Sequence, residues 1–200
     1  AVFDNAGQDC CARSRVLVER SAFEGFVERL VAAAAGVMVG DPLADGTVMG
    51  PLVTAAHRDK VAGYVAGVDV AYRGEVPSGP GFWFPCTVVA PADPASALFR
   101  EEIFGPVVAV VPFDDEDEAV AIANGSPYGL SGSIWSGDGG RALRVARALE
   151  AGTLSINSNS SVRVSTPFGG FKQSGLGREL SMQALAAYSE LKTVFFSTRP

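Results

Sequence analysis

The chain is 200 residues long, 48% hydrophobic and 19% charged, with 16 basic side chains against 22 acidic ones and a net charge of −6. These proportions fit a soluble globular protein with chain enough for one domain and a substantial core, and they exclude a disordered one. The acidic balance and the lack of a basic stripe argue against nucleic-acid binding, and the longest apolar run, residues 30–40, is too short to cross a membrane.

In chain order, strand and helix patterns alternate, the signature of an α/β domain with a mostly parallel sheet flanked by helices. Residues 3–15 form a cysteine-bearing turn, Phe3-Asp4-Asn5-Ala6-Gly7-Gln8-Asp9-Cys10-Cys11-Ala12-Arg13-Ser14-Arg15. Residues 16–18 read as a short strand. Ser21 is placed to cap a helix whose apolar positions Phe23, Phe26, Val27, Leu30 and Val31 recur at helical spacing, closed by Gly40-Asp41-Pro42. A second helix runs from Thr54, with Val61, Tyr64 and Val65 on one face, and fades near Gly67. Residues 74–81 hold glycines and prolines and form a loop. Residues 83–89 and 107–111 are β-branched apolar runs of the kind buried on both faces of a sheet. The acidic run 114–117 opens a helix, where carboxylates favour the N-terminus, and is not read as a metal site. Strand 130–135, helix 141–149 and strand 153–156 follow. The long polar loop 157–173 is of the length that carries function, residues 180–188 regain helical character, and 191–196 reads as a last strand.

Three cysteines, two of them adjacent, make a poor disulfide framework, and their spacing does not match a zinc site. No metal is therefore expected, and reduced thiols in a cytoplasmic setting are the economical reading. No basic signal-peptide region opens the chain. With no initiating Met and a candidate nucleophile at position 10, the sequence reads as the C-terminal portion of a longer protein.

The chemistry centres on residues 5–11. A thiolate is the strongest side-chain nucleophile and needs nearby N–H groups to hold the oxyanion it creates. Gly7 permits close backbone approach, and Asn5 and Gln8 add polar groups. Cys86, in Phe84-Pro85-Cys86-Thr87, reads as a small core hydrophobe. Gly137-Asp138-Gly139-Gly140 lies between a strand and a helix but lacks dinucleotide-loop spacing.

The pattern Asn-x-Gly-Gln-x-Cys-x-Ala-x-Ser-Arg, followed by Glu101-Glu102-Ile103-Phe104-Gly105-Pro106, Ala151-Gly152-Thr153 with Asn157, and the run from Pro167-Phe168-Gly169-Gly170 to Gly177-Arg178-Glu179, resembles the NAD(P)-dependent aldehyde dehydrogenases. The resemblance implies an aldehyde oxidised to a carboxylic acid through a cysteine thiohemiacetal and thioester. It makes Cys10 the nucleophile and Glu179 a proton-relay carboxylate, a role that competes with that of a dipole-favoured helix residue. It sets Glu102 on the ribose of NAD or NADP and Phe104 beside the nicotinamide. It lines the substrate tunnel with Phe168, and with Asn157, Ser161, Val162 and Arg163 of the variable loop. It implies a catalytic domain over 1–189 and an oligomerisation strand over 190–200, hence a homo-oligomer. The family's N-terminal coenzyme domain, general-base glutamate and oxyanion asparagine are not found in this sequence, and the segment 65–81 looks short. Turnover by the 200 residues alone is therefore doubtful. Two other readings stay open: a thiol hydrolase pairing Cys10 with His57, and a non-catalytic fragment that folds and self-associates.

Overall fold

The computed structural model describes residues 2–160 and 162–199; Ser161, one of the expected tunnel residues, lies outside them. Its framework is a four-stranded sheet in the order β1-β4-β3-β2, formed by β1 (Arg15–Glu19), β2 (Tyr72–Arg73), β3 (Thr87–Val89) and β4 (Val107–Phe113). Strand β4 is central and parallel to both β1 and β3, and the short β2 adds an antiparallel edge.

Why β4 sits in the middle is plain from its side chains. Val107, Ala109 and Val111 alternate with Val108 and Val110, and all five are buried. With period-two alternation, the first set faces one layer and the second set the other. Val108 and Val110 join Val18, Val88, Phe23 and Ala34 under helix α1 (Phe23–Ala35). Val107, Ala109 and Val111 join Met49, Leu52, Cys86 and Phe99, together with Val61 and Val65 from α2 (Ala55–Tyr64) and its C-terminus. An unbroken β-branched run has two apolar faces to bury, which demands a central parallel strand.

The second half packs beside this sheet. Helices α4 (Glu116–Asn124) and α5 (Gly139–Ala148) are joined by Arg144 donating to Glu116 at 2.9 Å. Strands β6 (Ser131–Ile134) and β7 (Thr153–Ile156) pair in parallel, and β5 (Tyr128–Gly129) pairs antiparallel with β8 (Phe171–Lys172). The short helix α3 (Ala97–Arg100) precedes the turn that leads into β4. The caps follow the sequence: Thr54 accepts from the His57 N–H, Asp115 from Glu118, and Asp138 from Gly140 and Arg141. Those backbone donors, Arg141 first, hold the Asp138 carboxyl below its ordinary range. The glycine-rich segment 137–140 is thus a helix cap, and the acidic run 114–117 a cap with ion pairs to Arg20, Arg141 and Arg144.

Four local expectations change. Ser21 does not cap α1: it sits in a 3₁₀ turn, Arg20–Ala22, and its hydroxyl donates to Glu19. The strand expected over 83–89 is shortened to Thr87–Val89; Pro85 has no N–H to add to a ladder, and only from Thr87 does β4 offer a partner. Residues 182–188 form an exposed 3₁₀ segment, Met182–Tyr188, instead of an α-helix. The last strand is absent: residues 191–196 are extended without a ladder, and Leu191, Val194, Phe195 and Phe196 stand 80–103% exposed. A strand exists only by pairing, and no described residue offers these an edge.

Candidate active site

The cysteine turn is built on left-handed backbone. Asn5, Ala6 and Gly7 have φ of 50°, 54° and 71°, three successive residues in the region L-residues avoid. What holds them there is contact. A Cβ on Gly7 would lie 2.1 Å from the Gly105 carbonyl oxygen, so the nucleophile turn lies directly on the backbone of the Phe104–Gly105 turn. Gln8 fastens the other side: its side-chain oxygen accepts from the Val53 N–H at 2.9 Å, and its amide donates toward Pro51 O. Asn5 closes the turn on itself by donating to Gln8 O at 2.9 Å. The residues read as substrate-facing polar groups are therefore also the fasteners of the turn.

Phe104 mirrors this strain, with φ 59°. Its carbonyl accepts from His57 Nε2 at 2.7 Å, and the imidazole meets its ring edge-on with centroids 6.4 Å apart. Asn5, Gln8, Val53, His57 and Phe104 line one cleft of about 450 Å³. The adjacent acidic pair divides its work. Glu101 accepts from the Tyr64 hydroxyl at 2.8 Å, and burial first and then this bond push the phenol up to about 12; Glu101 and Glu102 are both exposed.

Arg13 ties the turn to the second half. Its guanidinium donates to the hydroxyls of Ser131 and Ser133, each at 2.9 Å, to Cys11 O, and at 3.4 Å to Asn159 O. The start of the variable loop is thereby placed against the cysteine turn. Asn157 stands at φ 51°, and its side chain accepts from Ser136 N at 2.9 Å and donates to Ser136 O at 3.0 Å. With oxygen and NH₂ both engaged on Ser136, its amide pins β7 to the turn after β6. Val162 and Arg163 are exposed.

Phe168 and Glu179 are brought together by two mutual backbone hydrogen bonds, 2.8 and 2.7 Å, which close the arm 168–179. Neither lines the cleft at Phe104. The Arg178 guanidinium stacks over Phe171 at 5.3 Å and donates to Gly170 and Gly177, stiffening the arm.

Cys10 is exposed and its Sγ lies 3.9 Å from that of Cys11. Its thiol is pushed up to about 11, first by partial desolvation and then by Cys11 and the Asp9 carboxylate. Partial burial first, and then the Cys11 thiol and the Asp9 carboxylate beside it, work against the thiolate. Cys86 is buried beside Met49, its thiol likewise raised to about 11, as a core residue should be. Sequence reading gave Arg13 no role and considered His57 only as a partner for Cys10; their observed partners lie far away in the chain.

Comparison with known proteins gives the turn, the Phe104 cleft and the arm a common setting. Residues 1–194 match the model of the Aldehyde dehydrogenase family. Betaine aldehyde dehydrogenases of Rhizobium leguminosarum bv. trifolii and Brucella melitensis are 45% and 43% identical, over 99% and 96% of this chain. In both cases the chain spans 42% of the relative's length. A Bacillus cereus aldehyde dehydrogenase solved with NAD+ superposes with a TM-score of 0.94 at 39% identity, over 99% of this chain and 41% of that one. A Mycobacterium tuberculosis aldehyde dehydrogenase complexed with NAD+ gives 0.89 at 35% identity, over 94% and 40%. Matched along nearly its whole length in sequence and in fold, the chain belongs to the aldehyde dehydrogenase family.

Proposed function

We propose that this chain is the nucleophile-bearing portion of an NAD(P)-dependent aldehyde dehydrogenase, with Cys10 as the attacking thiol. The observation that carries the reading is the left-handed turn Asn5–Gly7, seated without clearance on the Phe104–Gly105 turn, with Cys10 exposed three residues beyond. Strained backbone held by its surroundings is characteristic of reacting sites.

The cleft fits a nicotinamide riboside: an aromatic wall from Phe104, polar groups from Asn5, Gln8 and His57, and the exposed Glu102 carboxylate two residues from the ring. Glu102 would accept from ribose hydroxyls and Phe104 would pack against the planar ring; when bound, the nicotinamide supplies a hydride acceptor. Cys10 would add to the aldehyde carbon, its thiol proton ending on the carbonyl oxygen, to give a thiohemiacetal on its own sulfur; the thioester would follow only with that acceptor bound, which would take the hydride as the hydroxyl proton leaves. His57 holds the Phe104 carbonyl, and with it the ring at the mouth of the cleft. Phe168 supplies apolar surface for the aldehyde, with Val162 and Arg163 in the variable loop, and Glu179 is the carboxylate available to carry a proton.

The groups bearing on the Cys10 proton are Cys11 and Asp9, and neither histidine nor lysine is among them. Acyl transfer to the chain should therefore be followed by slow release, since losing general-base assistance costs about 10²–10⁴ in rate. Incubation with p-nitrophenyl acetate should give one equivalent of nitrophenolate and an acetyl group mapped to Cys10, absent in Cys10→Ser. Acetylation of Cys86 or of no cysteine would refute the assignment. The hydrolase alternative is disfavoured because His57 Nε2 is engaged at Phe104 O.

Residues 190–200 are assigned to contacts between copies of the chain, on the strength of their exposed Leu191, Val194, Phe195 and Phe196. Light scattering at tens of micromolar should show a dimer or larger that dissociates on truncation after residue 189.

A further inference from the structure

We infer that Asp9, Cys10 and Cys11 form a chelating site for a thiophilic divalent cation of the zinc class. Their spacing in the sequence gives no such indication, since zinc ligands ordinarily come from separated pairs. The turn changes that by folding three successive side chains together.

The geometry is specific. One carboxylate oxygen and the two sulfurs all lie within 4.8 Å of one another, the only such group of three among the described residues. The sulfurs are 3.9 Å apart. Two thiolates at about 2.3 Å from a tetrahedral ion stand roughly 3.8 Å from each other, whereas a disulfide needs about 2.0 Å. The observed gap is that of a shared ligand edge. The carboxylate is already oriented, for Asp9 Oδ1 accepts from the Cys11 N–H at 2.7 Å. The backbone is closed by Ala12 N–H to Asp9 O at 3.0 Å, and Arg13 grips the Cys11 carbonyl. Binding then asks for side-chain rotation only, and the exposed face of Cys10 leaves the fourth position to water. Soft thiolates with one carboxylate select zinc or cadmium over magnesium and calcium, which favour all-oxygen shells.

The step balances as two thiols and M²⁺ giving M(SR)₂ and two protons, with no electron moved. While the ion is bound, one lone pair and much of the negative charge of the Cys10 sulfur are drawn to the metal, and its addition to a carbonyl is slowed. The site is thus a reversible mask of the nucleophile. This last consequence rests on the reading of Cys10 proposed above; the binding does not.

Reduced, metal-free chain titrated with Cd²⁺ should develop the ultraviolet cadmium–thiolate band and saturate at one ion per chain. Competition with a chromophoric chelator should give the Zn²⁺ affinity, with protons released on binding. Cys86→Ser should bind as the parent does. Cys11→Ser should lose at least a hundredfold in affinity and Asp9→Asn at least tenfold, with circular dichroism confirming the fold. Saturating Zn²⁺ should protect Cys10 from iodoacetamide, and a chelator should restore labelling. Undiminished binding in Cys11→Ser, or dependence on Cys86, would overturn the site. Cadmium binding without an ester burst would refute the nucleophile and leave the chelate standing, and a burst without cadmium binding would do the reverse.

Discussion

Gly7 and Gly67 have nearly the same positive φ, +71° and +70°, and differ in surroundings, which makes them a useful pair. A Cβ added at Gly67 meets nothing within 4 Å; at Gly7 it would stand 2.1 Å from Gly105 O, 2.4 Å from Gly105 C and 3.0 Å from Pro106 N. Gly67→Ala therefore measures the left-handed penalty alone, about 1–2 kcal/mol. Gly7→Ala carries the same penalty and adds an overlap of backbone on backbone, which no rotamer can relieve. Overpacking ordinarily costs about 1–3 kcal/mol, so the total should reach about 2–5 kcal/mol. In a chain of this size each kcal/mol moves Tm by about 2–4 °C. Urea denaturation of both variants, with unchanged m-values, gives the two costs, and their difference isolates the contact. If the turn yields by lifting off Gly105, limited proteolysis should cut within residues 3–12 in Gly7→Ala and not in Gly67→Ala. Equal losses in the two variants, or a larger loss at Gly67, would refute the claim that the two turns are stacked without clearance.

Two further outcomes are expected. The Cys10 thiol, raised from 9.0 to about 11, should have a thiolate fraction about a hundredfold below that of an unperturbed thiol at neutral pH. Its alkylation rate should climb about tenfold per pH unit from 7 to 10 without a plateau, and Asp9→Asn should shift the profile to lower pH; saturation near pH 8, read by peptide mass mapping, would contradict this. A Cβ on Gly105 would lie 2.7 Å from a Val61 methyl, and Val61 is wholly buried. Gly105→Ala and Val61→Ala should each cost about 1–3 kcal/mol, while the double variant should recover about 0.5–3 kcal/mol of their sum; additive thermal-melt losses would rule this out.

Much of this architecture was legible in local patterns. Thr54, Asp115 and the spacing of Val61, Tyr64 and Val65 announce their helices because a cap and an apolar stripe act over one or two turns. The β-branched run at 107–111 announces a buried central strand for the same reason. The tail at 191–196 misleads because β-propensity describes a surface that still needs an edge to join. His57, in a solvated-looking helix, earns its role from Phe104, 47 residues on, and Arg13 from hydroxyls more than a hundred residues away. No window of sequence holds those pairs. The family motifs single out Cys10, Glu102 and Phe168 as candidates, but the bonding of the Asn157 amide to Ser136 and the raised Cys10 thiol depend on neighbours that a motif does not specify.

The grip of Arg13 on the variable loop has a consequence for how such a chain diversifies. The guanidinium takes hold of the loop through the carbonyl of Asn159, a group that every residue type carries, and it also donates to Cys11 O and to the two β6 serine hydroxyls. The side chain at position 159 can thus be exchanged without removing the acceptor of that bond. Under the function proposed above, position 159 is a place where aldehyde preference can change while this link between the loop and the cysteine turn is kept.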